Sequence, residues 1–163
     1  MAVHLDVNRA RALGQELVAV HHWLRTELTR IRTDVTAYAA GSDLRPMQLR
    51  AHCTAFCAAL TRHHTSEDAA GFPALAAQFP ELAPVLTQLR ADHELVADIL
   101  RRSTELLDSI GPDNADTVRR ELDGLAAILE SHFRWEERRL VQAFDELEMG
   151  TRTGGELLGA EVG

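Results

Sequence analysis

The chain contains no lysine. All 17 of its cations are arginine, set against 25 acidic residues, for a formal net charge of −8 and a sequence pI near 5.4. No basic cluster is on offer to phosphates, which argues against nucleic acid as a partner and disfavours an anionic membrane surface. Long apolar runs are missing too: no stretch approaches the roughly 18 residues that a membrane helix needs. The opening "MAVHLDVNRARALGQELVAV" has no basic start leading into an apolar run, so neither a span nor a signal peptide is expected, and the protein reads as cytoplasmic. Cysteine is scarce. Cys53 and Cys57 stand four apart in one expected helix, which suits reduced thiols filling a buried face and not a secreted disulfide framework. No alternating strand pattern or internal repeat is present.

What remains is helical periodicity. At 163 residues the chain is expected to be one domain with a single core. The first helix is predicted from about Asp6, as N-cap, to about Ala39, with Leu13, Leu17, Val20, Leu24, Leu28, Ile31 and Val35 on one face before Gly41 ends it. A second starts near Pro46 and carries Leu49, Phe56 and Leu60 inward to about Ala70. "GFPALAAQFPELAP", with one glycine and three prolines, reads as a loop with a short helical turn. The third helix runs from about Leu82 to Asp108, with Leu82, Leu86, Leu89, Val96, Leu100 and Leu107 inward. After the turn "GPDNAD" the fourth runs from about Ala115 to Leu147, with Val118, Leu122, Leu125, Leu129 and Leu140 inward. The glycine-rich "GTRTGGELLGAEVG" is expected to fray, giving a domain over 1–148 and a flexible tail over 149–163. Long amphipathic helices with short connections make an all-α, antiparallel up-down-up-down four-helix bundle.

The chain holds eight histidines, and their positions matter more than their number. His21 falls four after Leu17 and three before Leu24, on the core stripe of the first helix. His63 follows Leu60 by three and precedes Glu67 by four; His93 follows Leu89 by four; His132 follows Leu129 by three and precedes Glu136 by four. Each helix thus offers one inward histidine, and two add a glutamate one turn on. Counted at about 1.5 Å per residue from the end that holds the first and last turns, they lie roughly 27, 25, 22 and 25 Å along the bundle, in one layer. Four imidazoles and two carboxylates buried together are costly unless something satisfies them, and a cation does that. Nitrogen and carboxylate donors without thiolate suit iron, manganese or zinc. Two His-x-x-x-Glu pairs point to two ions, the histidine binding one and the glutamate reaching toward the second. Ferritin-like bundles use Glu-x-x-His instead, a spacing absent here.

"VHHWLR", "HHTSEDAAGFPAL", "LRADHELV" and "HFRWEER", in that order on the four helices, resemble a hemerythrin-like (HHE) domain from about residue 10 to 145. The resemblance implies a non-haem diiron centre, its two Fe ions oxo- and carboxylate-bridged, that binds oxygen or related small molecules. Its implied ligands are His21, His63, Glu67, His93, His132 and Glu136. Oxygen-carrying hemerythrins place a second histidine one turn further on the third helix, where this chain has Ala97. Their fourth-helix carboxylate sits where this chain has Glu137, which therefore competes with Glu136. His64, about 100° round the helix from His63, is either an exposed or hydrogen-bonded neighbour or a substitute ligand filling the place left by Ala97.

The remaining polar and aromatic residues read more plainly. His22 and Asp68 are expected just off their core stripes, and His52 as a core or turn-capping residue about 16 Å from His63. Phe133 and Trp135 flank the site as packing residues, Tyr38 lies far along the first helix, and the "REL" and "EERR" charges form a solvated face. The expected function is binding of, or reaction with, dioxygen, peroxide or nitric oxide. A second vacancy opened by Ala97 favours redox chemistry such as peroxide decomposition or oxidase activity. The alternative is a sensor or binding module, without turnover, for oxygen, nitric oxide or iron occupancy, read by a protein partner.

Overall fold

The computed structural model describes residues 2–159, with side chains from Leu13 onward. Four long helices carry it: α1 (Ala2–Ala39), α2 (Pro46–Ser66), α4 (Ala83–Asp108) and α5 (Ala115–Glu146), with short helices α3 (Phe72–Gln78) and α6 (Gly154–Leu158). Each long helix packs on its sequence neighbour, and α5 returns to lie along α1, which closes the bundle. No helix among the described residues is long and apolar enough to cross a membrane.

Local chemistry sets the ends. Pro46 opens α2 behind an extended Arg45, whose N–H donates to the Gln48 side chain at 3.0 Å. Asn114 closes the turn before α5 by accepting from the Gly111 N–H at 2.8 Å. Gly41, at φ 94°, takes the left-handed turn after α1. Helix α1 runs from Ala2, so Asp6 lies inside it and is not its cap; the Asp6 side chain is outside the described residues.

The expected stripes form the core, except that Leu82 is only partly buried. The core has two apolar parts. One spans Val20–Val35 on α1, Leu49–Leu60 on α2, Val96–Leu107 on α4 and Ala115–Phe133 on α5; the other joins Leu13, Leu17, Leu86, Leu89, Leu140 and Phe144 to α3 and α6. On α2 and α4 the histidine positions fall between the two parts, and on α1 and α5 His21 and His132 lie at the edge of the first part, beside Val20 and Phe133.

Two further expectations fail. The stretch from Phe72 is not a loop: α2 continues through a π-helical turn, Glu67–Gly71, into α3. Pro73 has no N–H for the Ala69 carbonyl, and the widened turn before it, closed by the Phe72 N–H on the Glu67 carbonyl, absorbs the defect without ending the helix. The tail does not simply fray. Within it α6 is capped by Thr153, whose hydroxyl accepts from the Glu156 N–H at 3.1 Å, and both Leu157 and Leu158 are fully buried. Residues 160–163 lie outside the described residues.

Candidate metal centre

The layer between the two apolar parts is polar and buried. His21, His63, Glu67 and Glu136 are fully buried, His93 and His132 nearly so, and His64 is 6% exposed. They form two metal-sized groups, His64, Glu67, His93 and His132 in one and His21, His63 and Glu136 in the other, with donor atoms inside each within 4.8 Å of one another. Each glutamate faces both groups. Glu67 Oε1 lies 3.3 Å from His63 Nε2 and 3.4 Å from His93 Nε2. Glu136 turns Oε1 toward His21 Nε2 at 3.4 Å and Oε2 toward His132 Nε2 at 3.0 Å.

A second ring of partners orients the imidazoles by their far nitrogens. Nδ1–H of His93 donates to Asp68 at 2.8 Å, that of His132 to Asp92 at 3.2 Å, and that of His63 to the Leu158 carbonyl at 2.6 Å. His21 stacks on Phe133 with ring centres 4.1 Å apart, and His64 stacks on His93 at 3.8 Å. Outer partners on Nδ1 leave Nε2 turned inward, the arrangement typical of metal-binding histidines.

Electrostatics follow from burial and crowding. Burial, and then the neighbouring positive potential of His21, pushes His63 down to about 3; burial and His132 do the same to His93. Burial and His93 also hold His64 well below its usual range. For His21 and His132 burial is outweighed, by Glu136 and Glu137 in the first and by Glu136 and Asp92 in the second, so both are raised. Burial and the facing Glu136 hold the Glu67 carboxyl well above the carboxylate range. Burial would raise Glu136 too, but Glu67, His132 and His21 hold it well below.

The residues fit a cation by a direct test. Both oxygens of Glu67, both of Glu136, and Nε2 of His64, His93 and His132 are buried without a hydrogen-bond partner, and they converge on the same layer. Leaving so many polar atoms unpaired costs on the order of 1–3 kcal/mol each, a cost that bound cations would remove.

The sequence candidates separate cleanly in space. Glu137 is outside the layer: Arg25 grips it at 2.8 and 3.1 Å, and it reaches only His21 Nδ1, at 3.6 Å. It is therefore not part of a solvated face as expected. His64 is inside and buried, neither exposed nor hydrogen-bonded through Nε2. His22 is exposed. His52 neither joins the core nor caps a turn; it pairs with Glu27 of α1 at 2.8 Å. Cys57 is only half-buried, its sulfur 3.4 Å from that of buried Cys53. Trp135 packs under Arg139, and Tyr38 against the apolar core. Sequence reasoning missed Asp92, Arg25 and the Leu158 carbonyl. Asp92, next to an inward histidine, carried a usable signal; a backbone carbonyl carries none.

The profile of the hemerythrin HHE cation binding domain matches residues 13–144. No curated protein and no solved structure matches the chain.

Proposed function

The chain belongs to the hemerythrin HHE cation-binding family, and from that premise we propose that its core holds two non-haem iron ions and binds or reacts with dioxygen, peroxide or nitric oxide. The observation that carries this is the convergence of seven unpaired buried donor atoms on one layer, beside the His21–His63 pair, with Glu67 and Glu136 each near histidines of both groups. His64, His93 and His132 would hold one ion and His21 and His63 the other, and Glu67 and Glu136, each near histidines of both groups, would serve both. When bound, such a pair of ions supplies exchangeable positions and reducing electrons for a small ligand.

His64 changes the count read from the sequence. It supplies a fifth imidazole, so Ala97 does not leave the site short of nitrogen and opens no second vacancy to favour redox turnover. The protein's remaining task is to admit a small molecule and exclude bulk water. A cavity of about 140 Å³ between α2 and α4 reaches His64 and His93, with Thr61, Asp68, Glu94 and Ala97 among its walls. Asp68 and Glu94 make it unwelcoming to anions. Small uncharged ligands fit that description.

The test is to load the protein with ferrous iron without air and add nitric oxide, dioxygen or peroxide in turn while recording visible spectra. The expected result is a saturable change with each ligand that binds. Fully loaded protein that responds to none of the three would sink the proposal.

A further inference from the structure

One partner of the metal layer comes from outside the four long helices. His63 is fully buried, and its Nδ1–H donates to the carbonyl of Leu158, in α6, at 2.6 Å. That bond selects the tautomer with Nε2 unprotonated, facing Glu67 and, at 3.1 Å, His21 Nε2. Helix α6 is seated closely. Leu157 and Leu158 fill the second apolar part, the one that joins α3 and α6 to the bundle, with Phe72, Leu75 and Phe144. Gly71, in the π-turn, lies against the Leu157 carbonyl with no room for a Cβ. Gly159 turns back at φ 61°, where a Cβ would come within 2.8 Å of the Arg62 carbonyl oxygen.

We propose that α6 is a positioning clamp for the metal centre: its docking fixes His63, so that metal loading and α6 docking reinforce each other. The proposal rests on the metal-binding reading above. If α6 leaves, the buried His63 Nδ1–H loses its acceptor and the imidazole is free to take the wrong tautomer or rotate. Coupling is reciprocal: whatever α6 contributes to metal affinity, metal contributes to keeping α6 docked. In the metal-free protein α6 therefore opens more readily, exposing Leu157 and Leu158. Occupancy of the core becomes legible at the surface, which gives the sensor reading a physical output.

The test compares the full chain with a chain ended after Thr153 and with Leu157→Asp, which puts a charge into the α6 seat and touches no proposed ligand. Leu157→Met is the conservative control. Zinc affinity is read by chelator competition, folding by circular dichroism, the His63 tautomer by nitrogen NMR of the metal-free protein, and α6 docking by amide exchange with and without zinc. Loss of the partner that orients a ligand weakens binding by about 10- to 100-fold, so both disrupted variants are expected to lose that much while Leu157→Met does not. Exchange of the α6 amides in the full chain is expected to slow by a comparable factor on loading. Folded variants with full zinc affinity and an unchanged His63 signal would overturn the clamp, as would α6 amides indifferent to zinc. A folded full chain that binds neither zinc nor iron overturns the metal-binding reading itself, and the clamp with it.

Discussion

Adjacent residues on a helix point about 100° apart, yet His63 and His64 are both buried, because α4 crosses on the His64 side and lays His93 against it. His64→Ala removes one of three imidazoles from its group and is expected to empty that group preferentially; His22→Ala, on an exposed side chain, is expected to change nothing. Glu67→Ala is expected to cost at least half of the bound metal, since Glu67 faces both groups. Elemental analysis after gel filtration decides both, and full occupancy in Glu67→Ala would remove it from the ligand set. His63, Glu67, His132 and Glu136 were legible in the sequence because a four-residue spacing and a leucine stripe locate them without any knowledge of neighbouring helices. His64, Asp92 and Arg25 depend on which helix lies opposite, which local periodicity does not encode.

At the scale of the element, α2 carries two of the grouped residues, His63 and His64, and the π-turn that follows opens with a third, Glu67. The four long helices were readable from their apolar periods and from Pro46 and Gly41. The π-turn was not, since glycine and proline together read as a break, and only packing against α6 shows the helix to be continuous. Pro73 is the residue that makes a regular helix unfavourable there. Pro73→Ala lets Glu67–Gly71 close as ordinary helix, which would shift Gly71 and the α6 seat relative to Glu67. The expected outcome is a metal-free protein with a higher thermal midpoint and a weaker affinity for metal. If both quantities match the wild type, the π-turn has no part in shaping the centre.

At the scale of the whole molecule, the metal layer makes stability depend on pH. Between about pH 4.5 and 6.5, His63, His64 and His93 take up protons on unfolding, because the fold holds them below their ordinary 6.5. The raised Glu67 opposes them by holding a proton in the fold, but it is one group against three histidines, so stability rises with pH. Above 6.5 the sign reverses. His21 and His132, both raised, keep protons in the fold that they give up on unfolding. The metal-free protein is therefore expected to be most stable near pH 6.5, and urea midpoints across that range check it; a steady rise through about pH 8 would contradict the charge states assigned to the layer.

Metal should then dominate. Saturation at about one hundred times the dissociation constant adds about 2.7 kcal/mol. For a chain of this size that is a thermal shift of roughly 5–10 °C. The most direct test of the account is elemental analysis of the protein purified in air and after reconstitution with iron. About two irons per chain are predicted, from two donor groups whose glutamates each also approach a histidine of the other group. Folded protein that carries no iron and takes up none would mean that the buried histidines and glutamates satisfy one another without a metal, and the account would be wrong.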